Sequence, residues 1–166
     1  MNKVKVFIEK CRDDAIIPTY ANVGDAGMDV CSAEEVLINP GETKIIKTGL
    51  KFAIPKGYEI QVRPRSGISL KTPLRVPNSP GTIDSGYRDE LGIIISNTSF
   101  KDKFEKENKI YDLNDKNNKN GVYKIKMGDR LAQLVLVEVP KIDFKIVDSV
   151  EGIGNDRGGG FGSTGI

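Results

Sequence analysis

The 166-residue sequence contains no histidine and no tryptophan, and only two cysteines. Without histidine the chain cannot form a Ser-His-Asp triad, move protons through an imidazole or build the common zinc sites. Any chemistry must therefore depend on carboxylates, hydroxyls, guanidinium groups and backbone amides. Cys11 and Cys31 lack the C-x-x-C spacing of a metal knuckle, so we expect two reduced thiols in the core.

Long apolar runs and a charge excess of one sign are also missing. The longest apolar runs, residues 93–95 and 134–137, are too short for a membrane helix, and residues 1–5 carry no signal-peptide core. The 25 basic and 23 acidic residues leave a net charge of +2, which argues against a nucleic-acid partner because such binding needs a basic face. We therefore expect a cytoplasmic protein with neither a membrane nor a nucleic acid as partner.

Short β-like segments separated by glycine or proline recur about every ten residues. They are predicted at residues 4–8, 36–38, 43–48, 51–54, 58–63, 91–96, 123–126, 131–139 and 144–147. One short helix is predicted at residues 66–71, with Ser66 as its N-cap. The pattern predicts an all-β fold of the sandwich, jelly-roll or barrel type.

Two segments depart from this pattern. Residues 101–120 contain 6 Lys, 5 acidic residues and 5 Asn, which predicts an inserted surface loop because so little apolar surface cannot order a core segment. Residues 152–166 contain seven glycines and one aromatic, Phe161. We therefore expect one domain over residues 1–151, carrying the insertion, and a flexible glycine-rich arm over residues 152–166.

The arm has the composition of an anion-binding segment. Its glycines allow backbone amides to converge, Ser163 and Thr164 add hydroxyls, and Arg157 adds a bidentate donor, all of which suit a phosphate group. It is not a Walker A loop, since it has no lysine and no following helix. A flexible terminus is the alternative, but Phe161 among glycines favours closure over a flat ligand.

Four further blocks carry polar groups. In residues 63–67, Arg65 and Ser66 stand where a strand meets a helix and suit an oxyanion, although an exposed turn arginine is the commoner case. In residues 78–90, Asp84 lies at the bend of a hairpin, with Tyr87 three residues later. An aspartate there is the natural general base of a chain without histidine, and an Asx-turn is the alternative.

The last two blocks are less specific by themselves. Residues 128–134 are a turn that enters the most apolar strand, and Gln133 interrupts that strand either as a hydrogen-bonded core residue or as a ligand contact. Residues 25–30 place the carboxylates of Asp25 and Asp29 four positions apart, which an ordinary loop would also explain.

Taken together and in order, the five blocks resemble the five motifs of the trimeric dUTPase family over about residues 25–165, with only the insertion unmatched. The resemblance implies a distorted jelly-roll (β-clip) subunit with one short helix, in a homotrimer with a swapped C-terminal arm and shared active sites. It also implies Mg²⁺-dependent cleavage of the substrate dUTP to dUMP and pyrophosphate. This reaction limits uracil incorporation into DNA and supplies dUMP for thymidylate synthesis.

The resemblance also implies roles for the hairpin residues. Asp84 would deprotonate the water that attacks the α-phosphorus, and Tyr87 would pack on the deoxyribose and reject a 2′-hydroxyl. Uracil would be held mostly by main-chain groups, at Asn78, Gly81, Thr82, Ile83 and Gly92. Because uracil and cytosine reverse donor and acceptor at two positions, the wrong base would leave buried groups unpaired, at about 1–3 kcal/mol each.

The phosphate contacts implied by the resemblance come from three motifs. Arg65, Ser66 and Gly67 would contact the phosphates from a neighbouring subunit, with Gln133 nearby. From the arm, Phe161 would stack on uracil, and the β- and γ-phosphates would be bound by Arg157, Gly162, Ser163 and Thr164. Mg²⁺ would be held by phosphate oxygens and water, with Asp29 hydrogen-bonded to that water.

The sequence departs from the family pattern in three places. Asp89 stands where Gly is usual, Val30 stands where Leu is usual, and the insertion is added. Aspartate is among the better substitutes for glycine at position 89 if that backbone needs a positive φ.

Some phage-encoded members of the family carry an insertion between the same two motifs that serves partner binding. A protein partner at residues 101–120 is therefore a candidate added role, and a solvated loop is the alternative. The competing functions are a dCTP deaminase of the same fold and a non-catalytic regulatory binding protein.

Overall fold

The structure is a computed structural model that describes residues 3–100, 109–115 and 118–159. Within these ranges the chain forms twelve strands, one six-residue α-helix and one 3₁₀ turn, which confirms the all-β prediction. The first six strands are β1 (Phe7–Lys10), β2 (Met28–Cys31), β3 (Val36–Ile38), β4 (Thr43–Lys47), β5 (Leu50–Ala53) and β6 (Tyr58–Pro64). The remaining elements are α1 (Ser66–Lys71), β7 (Leu74–Arg75), β8 (Gly81–Ile83), β9 (Gly92–Asn97), β10 (Ile110–Asp112), the 3₁₀ turn Leu113–Asp115, β11 (Val122–Ile125) and β12 (Arg130–Glu138).

The strands are arranged in four small sheets. The largest has the order β2-β12-β6-β8 and is antiparallel throughout. The others have the orders β4-β9-β7, β10-β11-β3 and β1-β5. Neighbours in each sheet are mostly distant in sequence, as in a jelly-roll-like fold, so the sheets can form only when the whole chain collapses.

One hydrophobic core is shared by all four sheets. Alternation along β9 buries Ile93 and Ile95, and Ile46 of the paired strand β4 is also fully buried. Fully buried aliphatic side chains contribute about 1.5–3 kcal/mol each relative to exposure. The core therefore fixes the strand ends on which the polar candidate residues lie.

Several local predictions are wrong. Residues 144–147 form no strand, and Phe144 and Ile146 are highly exposed, because alternation alone does not provide a neighbouring strand edge. The first strand begins at Phe7 rather than at residue 4. Ser66 is not the N-cap of α1: Arg65 occupies that position in an extended conformation, with no side-chain cap hydrogen bond.

The prediction of two core thiols is only half right, since Cys31 is buried but Cys11 is exposed. Cys31 lies in β2, within the four-stranded sheet, whereas Cys11 follows the exposed strand β1.

Among the described residues no helix is long and apolar enough to cross a membrane.

The insertion is more ordered than its composition predicts. Its strand β10 pairs in parallel with β11, and the following Leu113 is buried. Buried Asn97 donates from Nδ2 to the carbonyl of Ile38 at 2.9 Å and to that of Gly121 at 2.8 Å, tying the end of the insertion to β3 and β9. The few apolar residues of the insertion thus suffice because the existing sheet supplies their partners.

Candidate active site

The first polar cluster is built around the carboxylate of Asp29. Arg65 donates to Asp29 from Nε at 2.8 Å and from Nη2 at 3.2 Å, and Arg130 donates from Nη1 at 3.4 Å. The side chains of Asp29 and Arg65 are only about a fifth exposed, at 22% and 23%. Asp29 lies in β2 rather than in a loop, which fixes its direction.

The strand register places Gln133 beside this cluster. In β12 Gln133 lies opposite Asp29 of β2 on one side and opposite Arg63 of β6 on the other. Directly paired residues on neighbouring strands point to the same face of a sheet. Three of the predicted motifs therefore meet at one end of the four-stranded sheet.

Burial raises the pKa of the Cys31 thiol, which lies two residues beyond Asp29, and the negative charge of Asp29 raises it further. A thiol held in its neutral form is a weak nucleophile. Cys31 therefore belongs to the packing of this end of the sheet rather than to its chemistry.

A cavity of about 390 Å³ opens beside Arg65. Ser66 and Gly67 begin the exposed first turn of α1 here, and the carbonyl of Arg65 accepts from the backbone N–H groups of Ile68 and Ser69. The cavity is lined by Arg65, Gly67, Ile68, Lys71, Leu113, Asn114, Gly128, Asp129 and Arg130. The lining carries three cationic side chains and the carboxylate of Asp129, and the Asp29 carboxylate pairs with two of the cations, so an excess of positive charge remains that suits an anionic ligand.

The second polar cluster is the hairpin between β8 and β9. Asp84 follows β8 directly and is exposed, and its carbonyl accepts from the N–H of Tyr87 at 3.1 Å. The hydroxyl of Tyr87 donates to the carbonyl of Glu90 at 2.9 Å. The tyrosine ring is thereby fixed at the hairpin with its face partly open to solvent.

The hairpin is fastened to the turn between β4 and β5. The carboxylate of Glu90 accepts from the N–H of Gly49 at 2.8 Å, and the buried hydroxyl of Thr48 donates to the carbonyl of Leu91 at 2.7 Å. These bonds fix the half of the hairpin that follows Tyr87. A rigid hairpin is what recognition of a base by main-chain groups requires.

The residues predicted to hold uracil line this hairpin. Gly81 and Ile83 pair with Val62 and Ile60 of β6, and exposed Thr82 lies between them. A Cβ on Gly81 would lie 3.3 Å from Nδ2 of Asn78, and a Cβ on Gly92 would collide with Ile45. Close packing therefore requires glycine at position 92 and leaves little room for a side chain at position 81.

Asp89 occupies a position where glycine is usual in the family, and its backbone conformation shows whether glycine is needed there. Among the described residues the only non-glycine with a positive φ is Asn118, so the backbone at Asp89 does not need glycine. The substitution therefore introduces no backbone strain into the hairpin.

A single subunit does not bring the two clusters together. Because β6 and β8 are antiparallel and Ile83 pairs with Ile60, Asp84 lies near the start of β6, whereas Arg65 follows its end. At about 3.3 Å per residue the two backbones are roughly 20 Å apart. The hairpin and the phosphate-type cluster therefore belong to opposite ends of the sheet.

The arm is only partly described. Arg157 is exposed, and the preceding Asp156 accepts from the N–H of Gly158 at 2.8 Å. The predicted contacts at Phe161, Gly162, Ser163 and Thr164 lie outside the described residues.

Sequence reasoning overlooked Arg130, Glu90, Lys71 and Asn114. Arg130 lies within the block of residues 128–134 and Glu90 within that of residues 78–90, so their charge is a signal that the sequence offers. The roles of Lys71 and Asn114 depend on elements that meet only in the folded chain.

These features define a class of protein: an all-β subunit with a cationic cluster suited to phosphates at one end and a carboxylate-bearing hairpin at the other. A dUTPase family model matches residues 13–110. The deoxyuridine 5′-triphosphate nucleotidohydrolase of Clostridium novyi (strain NT) is 41% identical over 164 residues, 98% of this chain and 100% of the relative. That of Clostridioides difficile is 45% identical over 160 residues, 96% of each chain.

Two solved structures extend the likeness to the fold. A mutant dUTPase of Staphylococcus bacteriophage 80alpha with dUpNHpp matches with a TM-score of 0.87 and 32% identity, over 99% of this chain and 100% of that one. A mutant dUTPase of phage phi11 of S. aureus, described with a structural Mg(II) ion, matches with a TM-score of 0.79 and 34% identity, over 89% and 99%. The chain belongs to the dUTPase family, the enzymes that hydrolyse dUTP to dUMP and pyrophosphate.

Proposed function

We propose that this chain hydrolyses dUTP at a site made from the two polar clusters of neighbouring subunits. One observation carries the proposal: in this dUTPase-family chain, Asp84 and Arg65 lie at opposite ends of β6. The two groups are therefore too far apart to act on one substrate within a single subunit. One subunit offers a hairpin for the nucleoside, and another offers cations for the phosphates.

Asp84 is the general base. It removes a proton from the water that attacks the α-phosphorus, and the bond to the bridging oxygen breaks as pyrophosphate leaves. Asp84 is exposed directly after a paired strand, so its carboxylate is accessible to water while its backbone is fixed. Loss of a positioned base typically costs about 10²–10⁴ in rate.

The hairpin selects the nucleoside. The backbone of residues 81–83 and Gly92, with Asn78, forms the uracil pocket, which the close packing around Gly81 and Gly92 supports. Tyr87 packs its ring against the deoxyribose. Its hydrogen bond to Glu90 keeps the ring where a 2′-hydroxyl would clash.

Arg65, Ser66 and Gly67 bind the phosphates, with Gln133 beside them. Arg157, Gly162, Ser163 and Thr164 of the arm bind the β- and γ-phosphates, and Phe161 stacks on uracil. The ion pair to Asp29 orients the Arg65 guanidinium, which supports its role because a pre-oriented fork loses little freedom on binding.

The phage phi11 dUTPase is described with a structural Mg(II) ion, and Mg²⁺ is the metal that we assign to the reaction of this chain. Among the described residues no three His, Cys, Asp or Glu side chains are grouped to hold an ion. We therefore assign the ion's ligands to phosphate oxygens of the substrate and to water, and Asp29 accepts a hydrogen bond from that water. When bound, Mg²⁺ neutralises charge on the triphosphate.

The assembly is a homotrimer with a swapped C-terminal arm. Beyond β12, Ile142, Phe144 and Ile146 alternate with polar residues and are exposed by 76%, 83% and 98% in the single subunit. A segment with strand-like alternation and exposed apolar side chains is suited to pair with another subunit. A cytoplasmic location stays a prediction.

Pyrophosphate release from the four standard deoxynucleotides, dUTP and UTP tests the proposal. We expect release from dUTP alone. Ammonia release from dCTP without pyrophosphate would identify the deaminase alternative. Asp84→Asn should bind a non-hydrolysable dUTP analogue like the wild type but lose about 10²–10⁴ in turnover, whereas Asp89→Asn in the same turn should stay near the wild-type rate.

We also propose protein-partner binding at residues 101–120 as a second role. The phage 80alpha dUTPase, which matches over 98–99% of this chain in its dUpNHpp-bound structures, is described as controlling transfer of virulence genes. Because residues 110–112 of the insertion pair with β11, deletion of residues 101–108 is a cleaner test than deletion of the whole insertion. We expect unchanged dUTP turnover with loss of the partner; partner capture that survives the deletion contradicts this role for residues 101–108.

A further inference from the structure

The described part of the insertion is attached to the helix that follows the phosphate-binding residues. The N–H of Asn118 donates to the carbonyl of Lys71, the last residue of α1, at 2.9 Å. Lys126 contacts Asp112 of β10 at 2.6 Å, and the hydroxyl of Tyr123 donates to the carbonyl of Lys119 at 3.0 Å. The insertion therefore has a fixed position relative to α1.

This attachment brings the insertion to the cavity beside Arg65. Leu113, which is 8% exposed, and exposed Asn114 form one wall of the cavity, opposite residues of α1 and of the turn before β12. The volume of about 390 Å³ lies within the range of about 300–1,000 Å³ usual for small-molecule sites.

The charge of the cavity wall indicates the kind of ligand. Arg65, Lys71 and Arg130 contribute three positive charges, against the carboxylate of Asp129 in the lining and that of Asp29, which pairs with both arginines. The Asp129 carboxylate already accepts from the N–H of Lys126 at 2.8 Å. A pocket with this excess of positive charge suits a polyanion of small size, such as the terminal phosphates of a nucleotide or free pyrophosphate.

We propose that Asn114 of the insertion is a further binding residue for the pyrophosphate end of the substrate and for the pyrophosphate product, at the cavity beside Arg65. The proposal rests on the proposed function. Asn114 lines the cavity together with three cationic residues, its side-chain amide is a neutral hydrogen-bond donor, and the buried Leu113 beside it fixes the backbone. The insertion thus completes the wall of the phosphate-binding site in addition to any partner it binds.

The experiment changes the charge at position 114 of the cavity wall with a substitution that keeps the size of the side chain. Asn114→Asp places a carboxylate in the cavity, and Asn120→Asp makes the same change elsewhere on the insertion, outside the cavity lining. KM for dUTP and the inhibition constant of inorganic pyrophosphate are measured at low and high salt, with thermal melting as the check on folding.

We expect Asn114→Asp to raise both constants about fivefold at low salt, with a smaller effect at high salt and kcat within about twofold of wild type. Asn114→Lys should shift both constants the other way, and Asn120→Asp should leave them unchanged. Equal constants for Asn114→Asp and Asn120→Asp would overturn the proposal.

The proposed function and this inference fail in different ways. If the wild-type chain releases no pyrophosphate from dUTP, the proposed function is wrong. Calorimetric titration of wild type and Asn114→Asp with inorganic pyrophosphate then tests the cavity independently of turnover. Binding weakened by the substitution supports the inference, and equal binding or none contradicts it.

Discussion

Arg65 binds both carboxylate oxygens of Asp29, from Nε at 2.8 Å and from Nη2 at 3.2 Å, across 36 positions of sequence. The pair joins the strand β2 to the residue that begins α1, and Arg130 adds a third contact from the start of β12. A guanidinium held in this way has a fixed orientation before any ligand arrives. The end of the sheet that we propose to bind the phosphates is therefore pre-organised by an ion pair inside one subunit.

The first prediction concerns this ion pair. Asp29→Asn removes the charge that orients Arg65, so we expect kcat/KM for dUTP to fall about tenfold, which corresponds to about 1.4 kcal/mol. A matched control is Asp14→Asn, because Asp14 accepts from Arg12 at 3.1 Å through both oxygens but on the exposed surface. Steady-state pyrophosphate release measures both. Equal effects of the two variants would contradict a special role for Asp29.

The second prediction separates the ring of Tyr87 from its hydroxyl. Tyr87→Phe removes only the hydrogen bond to Glu90, so discrimination against UTP should fall a few-fold, since the ring keeps its place less firmly. Tyr87→Ala removes the steric barrier and should allow UTP cleavage at least about tenfold faster relative to dUTP. The ratio of kcat/KM for the two nucleotides is the measurement. An unchanged ratio in Tyr87→Ala would mean that another group rejects the 2′-hydroxyl.

The third prediction concerns the hairpin anchor. Thr48→Val removes a buried hydroxyl that donates to Leu91, whereas Thr98→Val removes a hydroxyl that donates to Pro73 at the same 2.7 Å but on an exposed residue. We expect Thr48→Val to lower the free energy of unfolding by about 1 kcal/mol, or Tm by about 2–4 °C. Thr98→Val should cost less than half as much in thermal melting, because water replaces its partner. Equal losses would show that burial is unimportant here.

The fourth prediction concerns the arm. A chain ending at Asp156 loses Arg157 and the residues beyond it, and the described start of the arm is exposed. We expect the oligomeric state and Tm to stay the same while kcat falls by at least about tenfold, because the arm contacts substrate rather than the core. Size-exclusion chromatography, melting and turnover are measured on one preparation. A truncated chain that fails to fold contradicts this view of the arm.

The fifth prediction concerns the two thiols. Burial and the charge of Asp29 raise the pKa of Cys31, so its thiol stays neutral to higher pH than an ordinary cysteine thiol, whereas the thiol of Cys11 is exposed to reagents. With a thiol reagent at pH 8 we expect one fast and one slow phase, and Cys11→Ser should remove the fast phase. Because the folded pKa is the higher one, the stability contributed by neutral Cys31 is lost as the pH rises through that pKa. Two equally fast thiols in the native protein would be inconsistent with the buried position of Cys31.

Much of the fold follows from local pattern. Strand β3 has the predicted bounds, and α1 covers residues 66–71 as expected, because alternation, turn residues and a short apolar face are local properties. The failures are of another kind. Residues 144–147 have the right alternation but no partner strand within the part of the chain that the structure describes, and β10 forms in a polar insertion because β11 offers an edge. Strand formation depends on a neighbour that the segment itself does not contain.

The sequence by itself determined the chemistry available to this protein. A chain without histidine leaves Asp84 as the candidate base, and five ordered blocks define the family. Only the tertiary structure decided how these residues are grouped. Antiparallel pairing brings Asp29 and Arg65 into contact, places Asp84 at the other end of β6, and sets Asn114 of the insertion against the cavity beside Arg65. The reason is physical: residue type fixes which groups can react, but strand register and packing between distant segments fix their distances.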